Sequence, residues 1–150
     1  MTKVIKTSSI MIQARPEVVF AYISDLMRHP EWSGGPLKME AVSKGPIAVG
    51  SQYRSVGGPD DRVNDLRVTW YEPPKCFAFT AKDARMGEIA HEFTLQLKDG
   101  GTLLERKVTG MMPPLIAIIF QTFLYPMRGK PQMERSMAAL KAKLEQPAAG

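Results

Sequence analysis

The chain has 150 residues, of which 44% are hydrophobic and 23% are charged. This composition fits one soluble globular domain over residues 1–150 and argues against an intrinsically disordered chain. A single cysteine, Cys76, excludes an internal disulfide, and an N-terminus without the apolar core of a signal peptide predicts a cytoplasmic protein.

The net charge of +5 does not by itself predict a nucleic-acid partner. Basic residues are spread along the chain and usually stand beside acids, whereas a nucleic-acid footprint is a stripe or a run. A local excess is found only near the C-terminus, at Arg128, Lys130, Arg135, Lys141 and Lys143. We interpret it as a solvated helix face, with an anionic partner, either a membrane surface or nucleic acid, as the alternative.

The first third of the chain predicts one strand and two short helices. Residues 4–12 are rich in β-branched side chains, which favour a strand. Pro16 suits the first position of a helix that runs to about residue 26. Its apolar face is marked by Val19, Phe20, Ile23 and Leu26. A second helical turn is expected over residues 25–32.

From residue 37 the hydrophobic pattern alternates with a period of two, which predicts six strands. They cover residues 37–44, 50–56, 63–72, 76–81, 87–98 and 102–110. Turn signals at 57–61 and 99–101 separate strands that are close in sequence, so the sheet should be antiparallel. A meander of this length curls, and its concave face needs a cover.

The C-terminal part predicts helix. Residues 115–125 are apolar nearly all round, which indicates burial on most sides or contact with an apolar partner. We expect them to cover a cavity; a dimer surface or a membrane-docking lid is the alternative. Pro126 and Pro131 predict a kink or break near residues 125–130. A final amphipathic helix carries an apolar stripe of Met133, Met137, Leu140 and Leu144, and the tail 147–150 should fray.

Several motifs carry a family resemblance. They are Ala-Arg-Pro-Glu-Val-Val-Phe at 14–20, Ser-Asp at 24–25, His-Pro-Glu-Trp at 29–32, Gly-Ser-Gln-Tyr at 50–53, Tyr-Glu-Pro-Pro-Lys at 71–75 and Gly-Gly-Thr at 100–102. With the order of elements, they resemble the SRPBCC superfamily of START lipid-transfer domains, plant pathogenesis-related allergens and polyketide cyclases, and most closely its bacterial polyketide cyclase/dehydrase-like branch.

The resemblance implies an α+β helix-grip fold. In that fold a curved antiparallel sheet of about seven strands wraps a long C-terminal helix, two short helices follow strand 1, and a ligand cavity lies between sheet and helix. Pro126 and Pro131 interrupt a helix that is usually continuous in the family, and residues 115–125 are more apolar than in a typical member.

Strand parity identifies candidate ligand residues. In residues 87–98 the odd positions are apolar except for His91, and in the partner strand Arg106 shares a face with Leu104 and Val108. An apolar pocket with few polar groups is typical of a small-molecule site. We therefore predict that His91 and Arg106 fix the polar end of a ligand. The walls would come from Trp32, Tyr53, Trp70, Phe79, Phe93 and Phe120.

Three of these residues also have a structural interpretation. His91 can be a hydrogen-bonded core histidine, Arg106 can lie near the sheet edge and extend to water, and Trp32 can be a packing anchor. A β-bulge would shift the parity on which the assignments depend.

The sequence predicts no metal and no cofactor. His29, His91 and Cys76 have no recognised ligand spacing, and no nucleotide-binding or nucleophile motif is present.

Three functions stay open. The first is binding or carrying a hydrophobic small molecule such as a lipid, polyketide or aromatic metabolite. The second is a cyclase, dehydratase or isomerase in which His91 moves a proton and Arg106 stabilises an enolate-like anion. The third is a protein-interaction module. A transient membrane contact and a homodimer are open as further partners.

Overall fold

The computed structural model describes residues 1–57, 61–84 and 87–146. The strands are β1 (Thr2–Ile12), β2 (Leu37–Ala41), β3 (Gln52–Gly57), β4 (Arg62–Glu72), β5 (Cys76–Asp83), β6 (Gly87–Lys98) and β7 (Gly101–Met112). The helices are α1 (Pro16–Ser24), a 3-10 helix (Leu26–Glu31), α2 (Pro114–Ile119), a π-helix (Phe120–Gly129) and α3 (Lys130–Leu144). Part of the predicted turn at 57–61 and the tail at 147–150 lie outside the described residues.

One curved sheet contains all seven strands, in the order β1-β7-β6-β5-β4-β3-β2, and every neighbouring pair is antiparallel. Strands β2 to β7 form the predicted meander, while β1 pairs with β7 at the far edge. The chain between β1 and β2 must therefore cross the width of the sheet. The two short helices make this crossing, so the predicted α+β helix-grip architecture is confirmed.

Local sequence explains where the short helices begin. Pro16 occupies the first turn of α1, where its missing N–H costs no hydrogen bond. The 3-10 helix begins after Asp25, whose carboxylate accepts a hydrogen bond of 3.2 Å from the backbone N–H of Met27. Both helices bury an apolar face, through Phe20, Ile23 and Leu26, against the concave side of the sheet.

The C-terminal helix runs without interruption over residues 114–144, but its winding changes. The backbone N–H of Lys130 donates to the carbonyl of Tyr125, five residues earlier, as a π-helix requires. In an α-helix a proline such as Pro126 removes one hydrogen bond and its ring meets a carbonyl one turn earlier. Where a kink or break was predicted, the chain instead widens its turn and stays helical.

The core fills the concave side of the sheet beneath α1, the 3-10 helix and the C-terminal half of α3. Its largest fully buried side chains include Trp32, Phe77, Phe93, Leu104 and Leu140. Helix α3 is fixed on β1 by Lys141, whose Nζ donates to the carbonyl of Met11 at 2.7 Å. This end of the molecule is therefore closed.

Strict alternation along β4 predicts that Trp70 shares a face with Leu66 and Val68, but it does not. Leu66 and Val68 are buried, but the pairing of β4 with β5 shifts register between Val68 and Trp70. The extra residue turns Trp70 outward, where it is 43% exposed and its Nε1 donates to Glu72 at 3.2 Å.

Candidate ligand-binding site

A cavity of about 1030 Å³ lies between the sheet and residues 114–129. Strands β1, β6 and β7 form its floor, and α2 with the π-helix forms its roof. The floor includes Val4, Ile89, Val108 and Gly110, and the roof includes Ile116, Phe120 and Leu124. The lining is thus mainly apolar, which is typical of a small-molecule site.

Two glycines shape the cavity. A Cβ at Gly110 would come no closer than 3.9 Å to another side chain, so a larger residue there would extend into the cavity. A Cβ at Gly129 would lie 2.7 Å from the ring of Tyr125, which shows that the ring packs directly on the helix backbone. Gly129 therefore allows Tyr125 to lie at the cavity wall.

Arg106 reaches the cavity from β7, where it lies opposite Phe93 of β6. Its side chain is held from three sides. Nη1 donates to Oγ of Ser136 on α3 at 2.9 Å, and Nη2 donates to Nδ1 of His91 at 3.2 Å. The guanidinium centre lies 5.6 Å from the ring of Trp32 and 5.5 Å from that of Phe93. Arg106 does not extend to water at the sheet edge, because only 9% of it is exposed.

The charge of Arg106 has no carboxylate partner among the residues that the structure describes. Burial lowers the pKa of the guanidinium to about 10, so the group stays charged at neutral pH. Its Nε is buried without a hydrogen-bond partner in the part of the chain that the structure describes. A buried cation in this situation is costly unless a further group supplies acceptors.

His91 accepts a hydrogen bond from Arg106 and is neutral. Because a guanidinium only donates, Nδ1 of His91 must carry the lone pair and Nε2 the proton. Burial, then Arg106, then His29 keep the pKa of His91 well below its usual value, so the ring is neutral. It stacks on Phe79 with ring centroids 4.8 Å apart and planes 12° apart, which fixes its orientation.

Two residues next to this group were not predicted as site residues. Ser136 lies beside Met137 of the predicted apolar stripe, and only the fold reveals that it faces Arg106. His29 packs edge-on against Trp32 at 4.5 Å, and its Nδ1 is buried without a partner in the described chain. Burial and then Arg106 lower the pKa of His29 to about 3, so it too is neutral.

The structure brings together six of the eight predicted ligand residues. His91, Arg106 and Phe120 line the cavity. Behind His91 and Arg106 lies a buried aromatic layer, formed by Trp32, Phe79 and Phe93. Tyr53 packs against the core on β3, away from the cavity lining, and Trp70 lies on the exposed side of the sheet. The register shift in β4 explains the position of Trp70.

The roof of the cavity is apolar on both sides. Its inner side lines the cavity, whereas its outer side is exposed to solvent. We call this outer side the outer apolar face; it consists of Leu115, Ile118, Ile119, Phe123 and Met127. Phe123, for example, is 59% exposed. An apolar patch on both sides of one helix differs from the usual amphipathic surface helix.

The described residues contain neither a cluster that could hold a metal ion nor a helix that could cross a membrane. No three His, Cys, Asp or Glu side chains in that part of the chain come together in a way that could hold a metal ion. None of its helices combines the length and hydropathy needed to cross a membrane.

The sequence over residues 3–145 matches the model of a family described as polyketide cyclase/dehydrase and lipid transport. The chain belongs to this family. No curated protein matches the sequence. The SRPBCC resemblance predicted from the sequence motifs is therefore confirmed at the level of the family.

Solved structures share the fold at low sequence identity. Protein CV1439 from Chromobacterium violaceum is 17% identical, with a TM-score of 0.70 over 96% of this chain and 99% of that one. DynU16, from the dynemicin biosynthetic locus, is 20% identical, with a TM-score of 0.68 over 95% of this chain and 47% of that one. The Aha1 dimer from Colwellia psychrerythraea is 17% identical, with a TM-score of 0.68 and 97% coverage of both chains. At these identities the likeness establishes the fold alone.

Proposed function

We propose that the protein binds and carries a hydrophobic small molecule in the cavity between β1, β6, β7 and the roof helix. The observation that carries this proposal is a cavity of about 1030 Å³ with apolar walls and polar groups gathered at one place, Arg106 with His91 and Ser136. Ligand sites typically have volumes of about 300–1,000 Å³ and few polar groups, so the cavity lies at the large end of that range.

The hydrophobic effect supplies the driving force for binding. Burying one methylene group is worth about 0.8 kcal/mol, so an alkyl chain or a set of fused rings gains several kcal/mol on leaving water. Ile116, Phe120 and Leu124 on the roof and Val108 on the floor would contact such a ligand. A lipid, a polyketide or an aromatic metabolite fits this description.

The geometry supports binding better than acid–base catalysis by His91. A general base needs a free lone pair, and the lone pair of His91 at Nδ1 already accepts a hydrogen bond from Arg106. The lowered pKa also makes the neutral ring a weak base. Arg106 alone would suit an enolate-like anion, which is the feature that keeps a cyclase or isomerase as the second candidate.

The outer apolar face supports an exchange of ligand at an anionic lipid surface. Its apolar side chains, such as Leu115 and Phe123, could enter the interfacial region of a bilayer. Arg128 and Lys130 follow directly, and residues 106–133 contain no acidic side chain. This charge pattern complements an anionic membrane, so a lipid surface is the occupant that we propose for this face. Association into a homodimer is the competing outcome in vesicle and sizing measurements.

Binding can be tested with the neutral fluorescent probe N-phenyl-1-naphthylamine, whose emission rises in apolar surroundings. We expect saturable binding to the wild-type protein and loss of binding in Gly110→Phe, because the added ring would occupy the cavity. Thr109→Phe is the matched control, since it adds the same ring to the neighbouring residue of β7, which does not line the cavity. Equal binding by all three proteins would contradict the proposed site.

A further inference from the structure

We propose that the ligand is a lipophilic carboxylate whose acid group pairs with Arg106 while its apolar part lies under the roof helix. This inference rests on the proposed function and adds to it the chemical class of the ligand. It is carried by one juxtaposition: a buried arginine, uncompensated by any acid in the described chain, at the edge of an apolar cavity.

No acid among the described residues is placed to balance the charge of Arg106. Glu92 and Glu105 stand on the opposite side of their strands, and Glu92 pairs with Lys107 at 2.9 Å. Glu88 is the single carboxylate among the described residues that line the cavity. It precedes Phe93, the cross-strand partner of Arg106, by five residues, which is roughly 16 Å along a strand. A ligand anion is therefore the group that would complete this site.

The groups around Arg106 offer hydrogen-bond donors in excess. A guanidinium has five N–H donors, and two of them are used by Ser136 and His91. Nε–H has no partner among the described residues. The Ser136 hydroxyl accepts from Arg106, which leaves its own proton free to donate, and His91 carries its proton on Nε2. A ligand group that only accepts hydrogen bonds matches this set.

A carboxylate fits better than a phosphate. It carries one negative charge, which balances the single buried cation, and its two oxygens match the planar fork of a guanidinium. A phosphate monoester carries about 1.5 to 2 negative charges at neutral pH. The other lysine or arginine among the described lining residues is Lys6, whose Nζ lies 4.6 Å from the centre of the Tyr125 ring and which is not fully buried.

The test compares three ligands with the same alkyl chain. Dodecanoate, dodecanol and dodecyl phosphate are used to displace N-phenyl-1-naphthylamine, below their micellar concentrations and at a pH where the fatty acid is ionised. We expect dodecanoate to bind about 10- to 100-fold more tightly than dodecanol, the usual gain from charged hydrogen bonds. Dodecyl phosphate should not bind more tightly than dodecanoate.

Variants assign the preference to Arg106. Arg106→Gln should lose the preference for dodecanoate over dodecanol. Lys107→Gln is the matched control, because it removes the same charge from the opposite side of the same strand and should keep the preference. If circular dichroism shows that Arg106→Gln does not fold, Arg106→Lys is used in its place. It retains the positive charge without the planar guanidinium and should show a reduced preference for dodecanoate over dodecanol.

The outcomes separate the two proposals. Binding of no alkyl ligand and no probe overturns the proposed function. Equal affinity for dodecanoate and dodecanol leaves the proposed function standing and overturns this inference, as does tighter binding of dodecyl phosphate. A full preference for dodecanoate in Arg106→Gln overturns the role assigned to Arg106.

Discussion

The two ends of the sheet meet the C-terminal helix in opposite ways. Under α1 and α3 the concave face is filled by interlocked side chains, of which Phe77, Leu104 and Leu140 are fully buried. Under residues 114–129 the same face borders a cavity of about 1030 Å³. The hollow end has the more apolar helix, so hydrophobic content alone does not decide where a core closes. The shapes and anchoring of the facing elements decide it.

Arg106 lies on the boundary between the two ends. Trp32, Phe93 and Ser136 hold its side chain from the packed end, and His91 connects it to the cavity. A well-packed region thus positions a charged group for the hollow one. The predictions that follow test this division, beginning with the largest expected effect.

Truncating an aromatic ring should be far more costly in the packed end. Phe77→Ala removes a fully buried ring that packs on Phe20, Tyr71 and Phe93, and we expect a loss of about 3–5 kcal/mol in the free energy of unfolding. Phe120→Ala removes a ring from the cavity wall and should cost about 1 kcal/mol or less. Urea denaturation measures both; similar losses would mean that the two ends are packed alike.

Replacing the buried cation should stabilise the ligand-free protein. Arg106→Met keeps a similar volume and removes an uncompensated charge from the interior, so it should raise the free energy of unfolding by about 1 kcal/mol or more. Lys107 is partly exposed on the other side of the strand. Lys107→Met should therefore change the free energy of unfolding by about 0.5 kcal/mol or less. A strong loss of stability in Arg106→Met would show that the cation serves the packed end rather than the ligand.

Acid should destabilise the boundary through its two buried histidines. The pKa of His29 is about 3 in the folded protein and 6.5 ordinarily, so between these values only the unfolded chain binds the proton. The contribution of neutral His29 to stability is therefore complete above pH 6.5. As the pH decreases from 7 to 5, His29 alone lowers the free energy of unfolding by about 2 kcal/mol. The pKa of His91 is lowered in the same direction and adds to the loss.

His29→Phe isolates this contribution. It keeps a ring next to Trp32 and removes one titrating group, so its stability should depend less on pH over the same range. Denaturation curves at several pH values measure the difference. Parallel pH profiles for the wild type and His29→Phe would exclude His29 as a source of the acid sensitivity.

The smallest expected effect on stability concerns the outer apolar face. Leu115→Glu changes a residue that is 68% exposed and should leave the free energy of unfolding within about 0.5 kcal/mol of wild type. It should nevertheless weaken binding to vesicles that contain anionic lipid. Leu97→Glu is the matched control, because Leu97 is 66% exposed on β6 and does not line the cavity. If Leu115→Glu leaves vesicle binding intact but dissociates a dimer, the face is a dimer interface.

The strands and the polar group of the site could be predicted from short-range periodicity, whereas the helix-grip arrangement was implied by the family resemblance. Alternation in β6 and β7 placed His91 and Arg106 on one face, and the structure brings them within 3.2 Å. The same alternation predicts the wrong face for Trp70, because one extra residue in β4 reverses the side on which later side chains lie. No local pattern marks such a bulge.

The remaining features depend on contacts between distant parts of the chain. Ser136 meets Arg106 across 30 residues, and its neighbours in sequence only indicate a helix. The π-helix depends on how Pro126 and the anchored α3 share one continuous helix. The hollow under residues 114–129 follows from the position of that helix above the sheet, which hydrophobic periodicity does not specify.

The most direct test of the central claim is a crystal structure of the protein with dodecanoate. We predict continuous ligand density between the floor at Val108 and the roof at Phe120, with the carboxylate within hydrogen-bonding distance of Arg106. A roof helix collapsed onto the sheet, with Phe120 and Leu124 filling the space and the ligand absent or bound outside, would contradict the account.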